Sequence, residues 1–164
     1  MKICIYGAGA IGGHLAARLY KAGADVSVIA RGPHLAAIKA NGLTVHAVDG
    51  EHHAPVRAAA DPAELGQQDA VFVTVKAPAL PAVAASLKPL LGPDTSVAFV
   101  MNGIPWWYFD HLRGPHEGKS LPRIDPGDAL RRALGPGRAI GGVVYSASAV
   151  TEPGVVHVEQ PKSR

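Results

Sequence analysis

Several functional classes are excluded by what the chain lacks. It has a single cysteine, Cys4, which rules out an intrachain disulfide framework and a zinc site built on several thiolates. Aromatic residues make up only 5% of its 164 residues. No stretch free of charged residues reaches the roughly 18 residues of a membrane-spanning helix. The apolar run before Gly7 is too short for the core of a secretory signal. Apart from Arg131-Arg132 no two basic residues are adjacent, so the net charge of +3 is scattered. It forms no local patch of the kind that holds nucleic acid. The expectation is a cytoplasmic protein that binds neither nucleic acid nor membrane.

What is present reads as one globular domain over residues 1–164, with 48% hydrophobic and 18% charged residues. Nineteen glycines and fourteen prolines predict tight turns between closely packed elements. There is no internal repeat and no low-complexity linker. Residues 2–6 read as a buried strand, and Ile11, Leu15 and Leu19 then recur at helical spacing until Gly23. Residues 25–30 read as a second strand, so the first unit is strand, turn, helix, strand, the pattern of a parallel crossover.

A short helix over 33–40 follows, then a hairpin of residues 43–48 and 51–56 turning on Asp49-Gly50. Residues 61–65 resemble a short capped helix. Further apolar strands are expected at 70–75, 96–101, 139–147 and 155–159, with helices at 80–91 and 128–134, a loop over 114–127 and a polar tail from Gln160. The fold class is α/β, Rossmann-like: a mainly parallel open sheet with flanking helices and the hairpin as an excursion. The chain reads as a truncation, since residues 155–162 close with neither a cap nor a helix.

The strongest motif is Gly7-Ala8-Gly9-Ala10-Ile11-Gly12, a G-x-G-x-x-G that follows a strand and opens a helix. Gly7 permits the turn, Gly9 lets the backbone approach a pyrophosphate, and Gly12 allows close helix–sheet packing. Helix N–H groups and the positive end of the helix dipole then hold the anion. The second strand ends Ile29-Ala30-Arg31-Gly32, without the carboxylate that would accept hydrogen bonds from ribose hydroxyls. Arg31 offers a charged, planar donor fork to a 2′-phosphate, which favours NADP(H) over NAD(H); the bland alternative is a solvated loop arginine.

Lys76 and Asn102 also end apolar strands, and ligands of parallel sheets bind outside the strands' carboxyl ends. A lysine there could orient a carboxylate or a phosphate. An asparagine could hold a carboxamide or a substrate hydroxyl. Against these stand an exposed loop lysine and a plain Asn102-Gly103 turn.

Gly7 to Gly12, Arg31, Val75-Lys76-Ala77, Asn102-Gly103-Ile104-Pro105 and Gly154-Val155-Val156-His157 together resemble the amino-terminal domain of the ketopantoate reductases, the 2-dehydropantoate 2-reductases. The Trp106-Trp107-Tyr108-Phe109 run is similar to that of a broad subgroup of that family. The resemblance implies NADPH-dependent reduction of a 2-keto acid to a 2-hydroxy acid, in pantothenate biosynthesis for the type enzyme. It implies pyrophosphate binding by Gly7, Ala8, Gly9, Ala10, Ile11 and Gly12, and 2′-phosphate binding by Arg31. Lys76 and Asn102 would contact cofactor and substrate as positioning residues, and Ala147 would be a further cofactor contact. In that family a helical second domain supplies the general-acid lysine and a glutamate; neither is expected in this chain, so cofactor binding with little turnover is expected. The rival is a non-catalytic NADP(H)-binding module or sensor.

Four consecutive large aromatics cannot all face one side of a helix. Some of the residues Trp106 to Phe109 are therefore expected to be exposed and to cover a substrate, the absent second domain or a partner subunit. With a turn on Asp49-Gly50, His46 would face His53 across the hairpin; no third ligand accompanies them, and no metal site is assigned. Gly118-Lys119-Ser120 resembles the end of a P-loop, but Arg113 stands where the first glycine belongs and no strand precedes it. Cys4, inside the first strand, reads as an inert core thiol.

Overall fold

The computed structural model of the chain describes residues 1–159; the expected polar tail from Gln160 lies outside them. Two sheets enclose one helix. The larger sheet has six strands, all parallel: β1 (Lys2–Tyr6), β2 (Asp25–Ile29), β5 (Arg57–Ala59), β6 (Gln68–Val73), β7 (Leu91–Val100) and β8 (Ala139–Gly142), in the order β5-β2-β1-β6-β7-β8. This is the doubly wound order, in which the chain moves outward from β1 first to one side and then to the other. The smaller sheet has four strands: β3 (Leu43–Ala47), β4 (Gly50–Ala54), β9 (Ser148–Glu152) and β10 (Val155–Val158), in the order β4-β3-β10-β9. The helices are α1 (Ala10–Lys21), α2 (Gly32–Asn41), α3 (Leu80–Ser86) and α4 (Ala129–Leu134). Among the described residues no helix is long and apolar enough to cross a membrane.

The central strands are apolar on both faces because both faces are covered. On β1, Ile3 and Ile5 point toward α1, where they join Val26, Val28, Ala16 and Ala17 and, from the smaller sheet, Leu43, Val45, Val156 and Val158. Cys4 points the other way, into a core of Val71, Val73, Val97, Phe99, Leu80, Val83, Leu87, Leu130 and Trp106. Burial pushes the Cys4 thiol up to about 12, so it stays protonated and inert at neutral pH.

The hairpin differs from expectation in register and in size. Its turn is Val48-Asp49: Ala47 pairs Gly50, and His46 pairs Glu51, 3.2 Å away through Nδ1, so His46 and His53 do not face each other. A primed turn on Asp49-Gly50 needs positive φ at Asp49, and in the type I′ form at Gly50 as well. Here Gly50 alone supplies it (φ 115°), as the residue that follows the turn. The hairpin is also no isolated excursion. β10 adds in parallel to β3, and β9 adds antiparallel to β10, from residues distant in sequence. The expected strand 51–56 is divided at Pro55, which has no N–H to continue the ladder, and its far side leads into β5 on the other sheet.

Other boundaries moved for similar reasons. The expected helix 80–91 ends at Ser86, with Pro89 inside a separate 3₁₀ turn (Lys88–Leu90). The strand expected over 139–147 stops at Gly142, and Ser148 opens β9 instead. α4 begins one residue late, because Asp128 takes a left-handed conformation (φ 55°). The buried Asp125 caps the helix instead, accepting from the N–H groups of Leu130 (2.8 Å) and Arg131 (3.0 Å).

The aromatic run divides. Trp106 is 2% exposed and packs edge-on against Phe99 and Trp107, so it belongs to the core; Trp107 is only partly buried and Tyr108 is 53% exposed, so part of the run lies at the surface.

A charged network fastens α1 to the hairpin. Arg18 grips Asp49 with both terminal nitrogens (2.5 and 2.7 Å), and Asp49 also meets His52 Nε2 at 3.0 Å. Arg18 Nε donates to His14 Nε2 at 3.1 Å, which requires a neutral ring. Burial, and then the Arg18 cation, hold the His14 pKa below its ordinary value. Unfolded, His14 titrates near 6.5, so below that pH the unfolded chain takes up a proton that the native chain refuses. Asp49 is held far below the carboxylate range by Arg18 and His52 and does not titrate in that window. The urea midpoint is expected to fall as pH drops from about 7.5 to about 5.5, with a shallower fall in His14→Gln; equal slopes would remove His14 as the cause.

Candidate functional site

The carboxyl ends of β1, β2, β5 and β6 open onto a groove of about 370 Å³, at the switch point where the strand order reverses. Gly7, Ala8 and Gly9 line it on one side, Arg31 after β2 and His34 in the first turn of α2 border it, and Ala79, Ala82, Val83 and Ser86 of α3 and its lead-in turn form the facing wall. No carboxylate is among its lining residues.

Each glycine of the loop has a separate structural reason. Gly7 sits at φ 107°, and a Cβ there would come 2.7 Å from Val75 Cγ1. Its N–H and that of Ala8 both donate to the Ile29 carbonyl (3.1 and 3.0 Å), which ties the loop to the end of β2. At Gly12 a Cβ would lie 2.1 Å from the Gly7 carbonyl oxygen and 2.5 Å from Thr74 Oγ1. Thr74 in turn donates to that carbonyl at 2.6 Å, so helix, loop and β6 meet where there is no room for a side chain. Gly9 is different: its φ is an ordinary −66°, and a Cβ would meet nothing within 4 Å. The backbone there faces open space.

Gly9 is the N-cap of α1, with no side-chain cap, and no acidic residue stands in the first turn of Ala10, Ile11 and Gly12. The first N–H groups of a helix have no partner within it. Uncapped at the mouth of a groove, they suit an anion. The residues present therefore fit the pyrophosphate of a dinucleotide.

Arg31 is exposed at the groove rim, as the N-cap of α2, whose first turn also carries no acidic residue. Among the described residues no carboxylate pairs with it. Lys76 is exposed beyond β6, where its carbonyl accepts from Ala79 N–H (2.9 Å) to start the 3₁₀ turn Ala77–Ala79. Asn102 follows β7. Its amide makes a two-point clamp on one residue of the next strand's continuation, donating to the Val144 carbonyl and accepting from Val144 N–H, both at 2.9 Å. Lys76 and Asn102 thus stand on the same sheet edge as the groove but outside its lining. Ala147 lies between β8 and β9, also outside the lining, and its carbonyl accepts from Glu159 N–H at 2.9 Å.

Three contributors escaped the sequence. Ser86 Oγ donates to the Ala82 carbonyl (2.8 Å), so the 2.5 Å contact with Tyr6 runs from the phenol hydrogen to Ser86. This pair closes the groove floor between β1 and α3. Thr74 locks the loop carbonyl. His34 links Ala8 (2.6 Å) to Gly154 (2.9 Å). No sequence pattern marks these side chains, because the partners that Thr74, Tyr6–Ser86 and His34 reach across the fold lie 26 to 120 residues away.

Comparison with known proteins agrees with this geometry. Residues 3–113 match the family described as ketopantoate reductase PanE/ApbA. The chain is 53% identical over 161 residues to a 2-dehydropantoate 2-reductase of Mesorhizobium japonicum, covering 97% of this chain and 49% of that protein. A Ralstonia solanacearum protein assigned as a ketopantoate reductase superposes with a TM-score of 0.90 at 46% identity, over 96% of this chain and 49% of the other. The 2-dehydropantoate 2-reductase of Geobacter metallireducens superposes with a TM-score of 0.77 at 31% identity, over 96% and 46%. The chain spans about half the length of these relatives. The order of strands, the glycine loop at their switch point and these matches together place the chain in the ketopantoate reductase family, as its amino-terminal domain.

Proposed function

We propose that this chain is the cofactor-holding half of an NADPH-dependent oxidoreductase that reduces a 2-keto acid to a 2-hydroxy acid, with ketopantoate as the reference substrate. One observation carries the reading: an open, uncapped Gly9 turn and an Arg31 that no carboxylate among the described residues pairs with border the same groove. Gly7, Ala8 and Gly9, with the first turn of α1 from Ala10 through Ile11 to Gly12, hold the pyrophosphate. Arg31 pairs with the 2′-phosphate, where a bidentate guanidinium matches phosphate geometry. When bound, the nicotinamide supplies the hydride.

The two strand-end residues have separable tasks. Lys76 places a mobile cation at the sheet edge and draws the substrate carboxylate toward it. Asn102 has one amide hydrogen and one lone pair left after its clamp on Val144, enough to position a carboxamide or a hydroxyl. Ala147 is a further cofactor contact in this reading. The forming alkoxide needs a proton donor within hydrogen-bond reach, and that donor belongs to the other half of the longer relatives. A cover for the apolar depression of about 260 Å³ beside Ile104, Trp107 and Val143 belongs there too.

Two experiments test the nucleotide site. By calorimetry NADP⁺ is expected to bind at least tenfold more tightly than NAD⁺, about 1.4 kcal/mol, and Arg31→Ala is expected to abolish the preference. Equal affinities in the wild type would remove Arg31 from the reading.

The glycines are expected to separate binding from folding. Gly9→Ala should lose no more than the roughly 1 kcal/mol that alanine costs at a helix start, while NADP⁺ affinity drops sharply. Gly12→Ala should lower stability by about 1–3 kcal/mol or more through overpacking. Unimpaired nucleotide binding by Gly9→Ala would show that the open space at Gly9 is not the phosphate site.

A further inference from the structure

His34 belongs to the first turn of α2, on the groove rim, and both of its ring nitrogens are engaged with backbone. Nε2 lies 2.6 Å from the Ala8 carbonyl, and the Gly154 N–H points at Nδ1 from 2.9 Å. The Gly154 amide can only donate, so Nδ1 is a bare acceptor; the Ala8 carbonyl can only accept, so Nε2 carries the hydrogen. One tautomer of the neutral ring satisfies both ends.

The two ends belong to different parts of the molecule. Ala8 is in the glycine loop of the larger sheet, and its own N–H is already held by Ile29. The peptide joining Ala8 to Gly9 is planar and trans, so fixing the Ala8 carbonyl also fixes the direction of the Gly9 N–H, at the start of α1. Gly154 is in the turn between β9 and β10 of the smaller sheet, at φ 81°. Its carbonyl accepts from Thr44 N–H at 2.9 Å, which ties that turn to β3.

We propose that His34 is a positioning residue for the nucleotide: its ring sets the Ala8–Gly9 peptide for the phosphates and couples occupancy of the groove to the β9–β10 turn, which lies outside it. The coupling rests on the nucleotide reading above. Binding that orders the loop orders the turn, and by reciprocity a restrained turn favours binding.

The variants divide the two bonds. In His34→Gln the side-chain amide reaches as Nε2 does and keeps the donor to Ala8. In His34→Asn the shorter amide keeps an acceptor near Gly154 and leaves the Ala8 carbonyl without its donor. Calorimetry is expected to show NADP⁺ affinity within about threefold of wild type for the glutamine variant and about tenfold weaker for the asparagine variant. In hydrogen exchange, NADP⁺ is expected to slow exchange across residues 150–158 in the wild type, and to do so much less in the glutamine variant.

A purely structural role would make affinity follow thermal stability in both variants. Wild-type affinity in His34→Asn, or undiminished protection in His34→Gln, would overturn the proposal. Nitrogen-15 spectra of the wild-type ring near pH 7.5 should show hydrogen on Nε2 alone; a hydrogen on Nδ1 would remove the bridge outright. A wild-type chain that binds no NADP⁺ would instead overturn the nucleotide reading and the role of the bridge with it, while the ring spectra would still show whether the bridge exists.

Discussion

The close approach of α1 to the sheet is the constraint on which the rest depends. At Gly12 the helix comes so near the Gly7 carbonyl and Thr74 that a single methyl group would collide with backbone at 2.1 Å. That approach brings the amino end of α1 directly over the end of β1, beside the point where strand order reverses. A side chain at Gly12 would lift the helix and carry its N–H groups away from the groove. Under the proposed reading, anion binding here would be a consequence of packing: the helix end is available because the sheet lets it come close.

The second consequence is that α1 is covered on its far side. A surface helix with Ala16 and Ala17 at its centre buries little on its own. The smaller sheet supplies Leu43, Val45, Val156 and Val158 against it, so one helix serves two sheets. The ion pair of Arg18 with Asp49 is mostly exposed and adds orientation more than energy. The apolar sandwich carries the stability, at about 1.5–3 kcal/mol for each large side chain fully buried. The same arrangement places the β9–β10 turn within reach of His34, and so ties the glycine loop to strands at the far end of the sequence.

Legibility followed the range of the interactions. β1, α1, β2 and the glycine loop were readable because their signals are local: a strand, a turn with fixed conformational needs, and a helical repeat. The place of Arg31 was readable for the same reason, as the residue that follows β2 where a carboxylate could otherwise stand; it lies on the groove rim. The Asp49-Gly50 turn misled, because Asp-Gly is a strong hairpin signal, yet the positive φ was needed one position later, after Val48-Asp49. Which member of the run Trp106 to Phe109 would be buried was not legible, because the burial of Trp106 against Phe99 was decided by α4 and β7, which no neighbouring residue announces. Asn102 read as a free polar strand end, whereas its amide is engaged by Val144, 42 residues on.

By itself, the sequence determined the α/β class, the crossover that begins it, and the chemistry of a loop able to approach a phosphate. Those depend on the conformational preferences of glycine and on apolar periodicity, which are properties of short segments. Only the tertiary structure decided that the hairpin becomes half of a second sheet, that Asn102 is clamped on Val144, and that His34 holds Ala8 and Gly154 with a single tautomer. Each of those rests on a contact between segments remote in the chain, where the partner's identity depends on which surfaces the core has already brought together.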